Sequence, residues 1–279
     1  MRDNQALINT HWLSERLAYP GLVLLDASMT EPLPGKHHAL AERVIPTSQR
    51  FDMERVAVDT DSALPHTVPD EATMQDYLSS LGVTKDSLIV IYDNQGLFAA
   101  PRAWWLFKLM GFDKVYVLNG GLGAWLKAGL PTQAGYDSTL IPSQVTVNVR
   151  PQWLIDKHTL SDAVENQTVQ VIDARSADRF YGRQPEPREG LRSGHIPGAI
   201  NLPYTELLQD GYLLSPHQLK RTFYRLKLSH QRPLITSCGS GVTACILALA
   251  AYELEFTDIR VYDGSWSEWG ADERLPIES

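Results

Sequence analysis

Short, continuous apolar runs alternate along this chain with segments of helical period. Gly21-Leu-Val-Leu-Leu-Asp26, Ser87-Leu-Ile-Val-Ile-Tyr92 and Lys114-Val-Tyr-Val-Leu118 are apolar at successive positions. They therefore read as strands buried on both faces rather than strands with one wet face. Helical spacing is expected from Ile8 to Leu17, around Trp12, Leu13 and Leu17, and again over Ala72 to Leu81, with Gly82 as its C-terminal cap. Ala100 to Gly111 is a further helix with Pro101 in its first turn, and Gly120 to Leu126 starts another. A polar, Pro-containing stretch with little periodicity runs from Ala27 to about Asp70 and carries His37, His38 and His66.

The second half repeats this order. Val169-Gln-Val-Ile-Asp173 matches Leu22 to Asp26, Pro233-Leu-Ile-Thr-Ser-Cys238 matches Leu88 to Asp93, and Asp258-Ile-Arg-Val-Tyr262 matches Lys114 to Leu118. Asp263-Gly-Ser-Trp-Ser-Glu-Trp269 matches Asn119 to Trp125. The chain is thus an internal duplication of a strand–helix unit. The expected architecture is α/β, two tandem domains each with a parallel sheet and helices on both faces. The expected boundaries are 1–130 for the first domain, 131–149 for a linker of weak periodicity, and 150–279 for the second domain.

At 279 residues each half is long enough for its own core. With 25 basic and 33 acidic side chains the formal net charge is −8, which argues against non-specific nucleic-acid binding. Met1-Arg-Asp-Asn-Gln-Ala6 holds no apolar run of secretory type, and no segment approaches the about 20 apolar residues of a membrane helix. The 2 cysteines, Cys238 and Cys245, lie across a turn and a helix start, poorly placed for a disulfide and too few for a zinc site. These features set the expectation of a reducing, cytoplasmic compartment.

The chemistry centres on Leu234 to Ala251. Leu234-Ile-Thr236 ends a strand, Ala244 to Ala251 is a helix of small apolar residues, and Cys238-Gly-Ser-Gly-Val-Thr243 joins them. Such a loop aims successive N–H groups inward at a helix N-terminus. A cysteine there has a lowered pKa, and its thiolate is the nucleophile. A cysteine phosphatase needs an arginine six positions after the cysteine to grip phosphate with a forked pair of hydrogen bonds. Ala244 stands there, so sulfur chemistry is favoured over phosphoryl transfer. The first half has Asp93 where the second has Cys238. A carboxylate cannot carry sulfur, so that half is expected to be catalytically silent.

The loop Cys238 to Ala244, together with Gly194-His-Ile-Pro-Gly-Ala199, Glu186-Pro-Arg188 and Tyr262-Asp-Gly-Ser-Trp-Ser-Glu-Trp269, resembles the 3-mercaptopyruvate sulfurtransferases of the two-domain rhodanese superfamily. The resemblance runs over nearly the whole chain. It implies sulfur transfer from 3-mercaptopyruvate through a Cys238 persulfide to a small thiol, cyanide or a reduced thioredoxin-like protein, with no cofactor or metal. Cys238 and Ser240 would act in catalysis, while the N–H groups of Gly239, Gly241, Val242 and Thr243 cradle sulfur. The family's two carboxylate-binding arginines fall on Arg179 and Arg188, and arginine can hold a carboxylate with two parallel bonds. Arg183 receives no role. Asp173, His195, Asp263 and Cys245 read as structural.

Two alternatives stay open: a thiosulfate sulfurtransferase, and a non-catalytic persulfide carrier. The first typically has a basic pair where this chain has Gly239 and Ser240. There is also a departure from the family. Some members support the loop serine with a histidine of a His-Ile-Pro-Gly motif in the first domain and a preceding aspartate. The matching stretch here is Arg43-Val-Ile-Pro-Thr47, with Val44 in place of the histidine and His37 or His38 near the aspartate position. No Ser–His–Asp triad can be carried over; His66 is a weaker candidate to face the cleft.

Overall fold

The structure, a computed structural model, describes residues 5–31, 35, 37–56, 64–137 and 141–279. Met1 to Asn4, and parts of the Ala27–Asp70 and 131–149 stretches, lie outside the described residues. The chain forms two compact units. One gathers the described residues up to Val56, Val68–Arg150 and Asp210–Leu213; the other gathers Leu64 to Thr67, Pro151–Gln209 and Leu214–Ser279.

Each unit is built on a five-stranded sheet, all parallel. In the first the order across the sheet is Leu7–Ile8, Val115–Leu118, Leu88–Tyr92, Leu22–Asp26, Gln49–Arg50. In the second it is Leu154–Ile155, Ile259–Tyr262, Leu234–Ser237, Gln170–Asp173, Ile200–Asn201. Strand for strand the two orders coincide, so the duplication read in the sequence is a duplication of topology. The central strands Leu88–Tyr92 and Leu234–Ser237 are buried almost throughout, as a parallel sheet covered on both faces requires. Trp125 and Tyr92 anchor the core of the first unit, and Trp266, Trp269 and Tyr262 that of the second.

The strands match expectation closely, while one helix does not. Ile8 is strand, paired with Leu118, and the helix is only Thr10–Ser14. Asn9 starts it by accepting the Trp12 N–H at 2.8 Å, so the apolar spacing through Ile8 crosses a strand–cap–helix junction. Gly82, at φ +69°, closes the Glu71–Ser80 helix. The stretch 131–149 belongs with the first unit. Gln133–Ala134 pairs antiparallel with Arg43–Val44, Val145 and Val147 are buried, and the N–H of Asn148 reaches the Met110 carbonyl at 3.1 Å. No helix among the described residues is long and apolar enough to cross a membrane.

Candidate active site

Parallel sheets place ligands at the carboxyl ends of their strands, and Cys238 sits there. It follows Leu234–Ser237, the middle strand, whose Ser237 is in register with Asp173. The Ala174 N–H closes that end on the Ser237 carbonyl at 2.9 Å. Gly241, at φ +78°, turns the loop into the ten-residue helix Ala244–Glu253. Cys238 is 1% exposed. The Cys238–Thr243 loop thus lies at the positive end of a helix dipole.

The loop's carbonyls are held from behind. Trp266 N–H donates to the Cys238 carbonyl at 3.0 Å, and Ser267 donates to the Gly239 carbonyl from its N–H at 2.9 Å and its hydroxyl at 2.6 Å. Ser265 accepts the Cys238 N–H at 3.1 Å and donates to the Tyr262 carbonyl at 2.8 Å; its Oγ is 3.9 Å from Cys238 Sγ. Its φ of +49° lies in the left-handed region, where the duplicated position of the first unit has Gly121 at +54°. A serine tolerates that conformation here because its hydroxyl is tied at both ends. With the carbonyls turned away, the N–H groups of Gly239, Ser240, Val242 and Thr243 have no backbone acceptor among the described residues. Ser240 is 7% exposed and Val242 3%. Cys245, fully buried, donates its thiol to the Gly241 carbonyl at 3.3 Å; it belongs to the core and also steadies the loop.

The first unit contains the same loop in a filled state. Gly96, at φ +73°, is the counterpart of Gly241. The Asp93 carboxylate accepts the N–H groups of Gln95 and Leu97 at 3.0 Å each, Ala99 at 2.9 Å and Ala100 at 2.8 Å. Burial pushes the Asp93 pKa up from the ordinary carboxylate value, and these four donors pull against it. Where Asp93 supplies its own anion, Cys238 leaves a cradle for one.

The arginines lie in two environments. Arg179 is on the last turn of the short helix Ala177–Phe180. Its Nη2 would be 2.8 Å from a Cβ at Gly239, so glycine is what lets the guanidinium approach the loop. Arg179 pairs with Glu186 through Nε and Nη2. Glu186 is also bound by Arg175 Nη1 at 2.8 Å. Arg175 in turn grips Asp173 at 2.7 Å and lies 4.3 Å over the Trp266 ring. The side chains of Arg175, Asp173 and Glu186 are at most 1% exposed. Burial opposes the charge on Arg175, but Asp173 and Glu186 outweigh it and raise its pKa. Arg188 has no carboxylate within ion-pair distance among the described residues. Burial lowers its pKa, and Cys238, the next influence, opposes that. Arg188 is therefore within electrostatic reach of the nucleophile, whereas Arg183 pairs with Asp178 in the open at 3.7 Å.

Sequence reasoning assigned no role to Arg175, Glu186, Ser265 or Ser267, although Glu186 and both serines stood in the quoted motifs. Asp173 and His195 are structural, as expected. His195 stacks on Phe180 with ring centroids 3.8 Å apart, and its Nδ1 lies 2.9 Å from the Phe180 carbonyl. His37 and His38 are exposed, and His66, at φ +58°, groups with the second unit.

Val44 is fully buried in the first unit. Restoring the family histidine by Val44→His is therefore expected to cost stability, on the order of 1–3 kcal/mol for a buried polar group without a ready partner. Thermal denaturation checks this; an unchanged midpoint with a gain in activity would show that the position opens to the reacting atoms.

The rhodanese-like domain model matches residues 9–128 and again 156–272, and the chain belongs to that family. It is 40% identical over 274 residues to the 3-mercaptopyruvate sulfurtransferase of Mus musculus, covering 95% of this chain and 92% of that one. It is also 40% identical over 276 residues to the thiosulfate sulfurtransferase of Cricetulus griseus, with the same shares covered. The crystal structure of SseA from Escherichia coli, a 3-mercaptopyruvate sulfotransferase, superposes with a TM-score of 0.85 at 35% identity, over 94% of this chain and 99% of that one.

Proposed function

We propose that this chain is a sulfurtransferase that takes sulfur from 3-mercaptopyruvate and passes it to a thiol or cyanide through a persulfide on Cys238. Residues 150–279 form the catalytic half and 1–130 the silent half, with 131–149 grouped with the latter. The observation that carries the reading is a cation-free loop at Cys238 whose Gly239, Ser240, Val242 and Thr243 N–H groups have no backbone acceptor among the described residues, with Arg179 against it and Arg188 within electrostatic reach of Cys238. Overall identity does not separate the two donors, since relatives named for each match equally well. Gly239 and Ser240 do, because they supply no positive charge for a sulfonate.

In the first half-reaction the Cys238 thiolate attacks the donor sulfur and forms an S–S bond. The carbon–sulfur bond breaks, its electron pair leaves with the pyruvate enolate, and a proton from water or donor converts the enolate to pyruvate. The persulfide rests among the N–H groups of Gly239, Ser240, Gly241, Val242 and Thr243, which act as an oxyanion hole does for oxygen. An acceptor thiolate or cyanide then takes the outer sulfur and releases the Cys238 thiolate. A thioredoxin-like protein with a reactive dithiol fits the acceptor role.

Steady-state rates with mercaptopyruvate and thiosulfate, run in parallel, test the reading: mercaptopyruvate is expected to be the better donor by kcat/KM. A faster thiosulfate reaction would favour the rhodanese alternative, and turnover with neither donor the carrier alternative. Arg179→Ala and Arg188→Ala should each raise KM for mercaptopyruvate. Losing a charge-assisted hydrogen bond costs about 1.5–3 kcal/mol, about one to two decades in kcat/KM. Wild-type kinetics in both variants would make the arginines part of a solvated face.

A further inference from the structure

The site's cations are unusually well matched by buried carboxylates. Asp173 neutralises Arg175, and Glu186 is shared between Arg175 and Arg179. Arg188 has no carboxylate within ion-pair distance among the described residues; burial opposes its charge, while Cys238 and Glu186 favour it. The Glu186 side chain is 1% exposed, so its charge is barely screened by solvent and acts on whatever anion stands between Arg179 and the thiolate.

We propose that Glu186 sets the charge of the donor, holding down the positive charge of Arg179 beside Gly239 so that the site accepts a singly charged carboxylate and rejects a dianion. This rests on the reading that Cys238 takes sulfur from a small anion. Glu186 touches no reacting atom; it is a positioning and specificity residue acting through Arg179. Its grip on Nε and Nη2 also fixes that guanidinium beside Gly239. A dianionic donor such as thiosulfate gains twice as much as mercaptopyruvate from each added positive charge, so removing the Glu186 charge must favour it.

The test compares kcat/KM for mercaptopyruvate and thiosulfate in the wild type, Glu186→Gln and Glu186→Asp. Glu186→Gln should raise the thiosulfate-to-mercaptopyruvate ratio about tenfold or more, and steepen the salt dependence of thiosulfate use. It should also tighten competitive inhibition by sulfate more than inhibition by acetate. Glu186→Asp keeps the charge, so its ratio should stay within about threefold of wild type even if both rates fall. A purely structural role predicts parallel losses with both donors, which would overturn the proposal. Should Glu186→Gln not fold, inhibition of the wild type carries the test: acetate competing with mercaptopyruvate more tightly than sulfate supports the charge argument, and sulfate competing as tightly or more tightly overturns it. A wild-type protein that turns over neither donor would sink the sulfur-transfer reading and this proposal together. Ordinary wild-type turnover with an unmoved ratio in Glu186→Gln would sink this proposal alone.

Discussion

Cys238→Ser is expected to reduce sulfur transfer from any donor to background, while Cys245→Ser keeps most of it. The two thiols differ in what surrounds them. Cys238 ends the central strand and starts the loop at a helix N-terminus, where the N–H groups of Gly239, Ser240, Val242 and Thr243 have no backbone acceptor among the described residues. Serine there has a nucleophile of far higher pKa and no means to hold a second sulfur. Cys245 lies fully buried within the helix Ala244–Glu253 and gives its S–H to the Gly241 carbonyl. A serine hydroxyl can make the same donation. With a net worth of about 1 kcal/mol for that bond, the rate should stay within roughly threefold to fivefold. Mass spectrometry after mixing with mercaptopyruvate checks both: wild type and Cys245→Ser should gain the mass of one sulfur, Cys238→Ser none. Equal losses in the two variants would point to a relay between two cysteines rather than one nucleophile.

What the sequence disclosed follows from how each feature is stabilised. Strands such as Leu88–Tyr92 and Leu234–Ser237 are buried on both faces, so their apolar runs are unmistakable. The two-residue strands Leu7–Ile8, Gln49–Arg50, Leu154–Ile155 and Ile200–Asn201 take their order from pairing with a neighbour and leave no pattern of their own. Val145 and Val147 were lost in a stretch rich in Gly, Pro and Ser, although both are buried. At the site the reactive cysteine was legible, because a cysteine between a strand and a small-residue helix has few explanations. The Arg175–Glu186–Arg179 network was not. Read one residue at a time, an Arg-rich loop with Pro and Gly looks solvated; only tertiary pairing with Asp173 makes those charges compatible with burial. The difference at Val44 was legible, but its full burial was not.

Asp93 was recognised in the sequence as a missing nucleophile; in the structure it is the anion that its own loop requires. Its two oxygens accept four N–H groups, two of them at the start of the helix Ala100–Leu109. Asp93→Ala removes both acceptor oxygens at once and leaves four donors without them, those of Leu97, Ala99 and Ala100 buried. Each unsatisfied group costs about 1–3 kcal/mol if no water enters, and partial hydration of the gap limits the sum to roughly 3–5 kcal/mol. The first unit should therefore unfold at markedly lower urea in Asp93→Ala than in wild type. Asp93→Asn, which keeps one acceptor oxygen but adds donors facing donors, should recover little. The sharper test is rescue. A loop shaped for a carboxylate at a helix N-terminus should take one from solution, so formate or acetate should raise the unfolding midpoint of Asp93→Ala and leave that of the wild type unchanged. Sodium chloride at matched ionic strength controls for general screening. A variant that loses little stability, or one that small carboxylates do not restore, would show that these N–H groups are satisfied by water and that Asp93 is not the resident anion of a duplicated anion-binding loop.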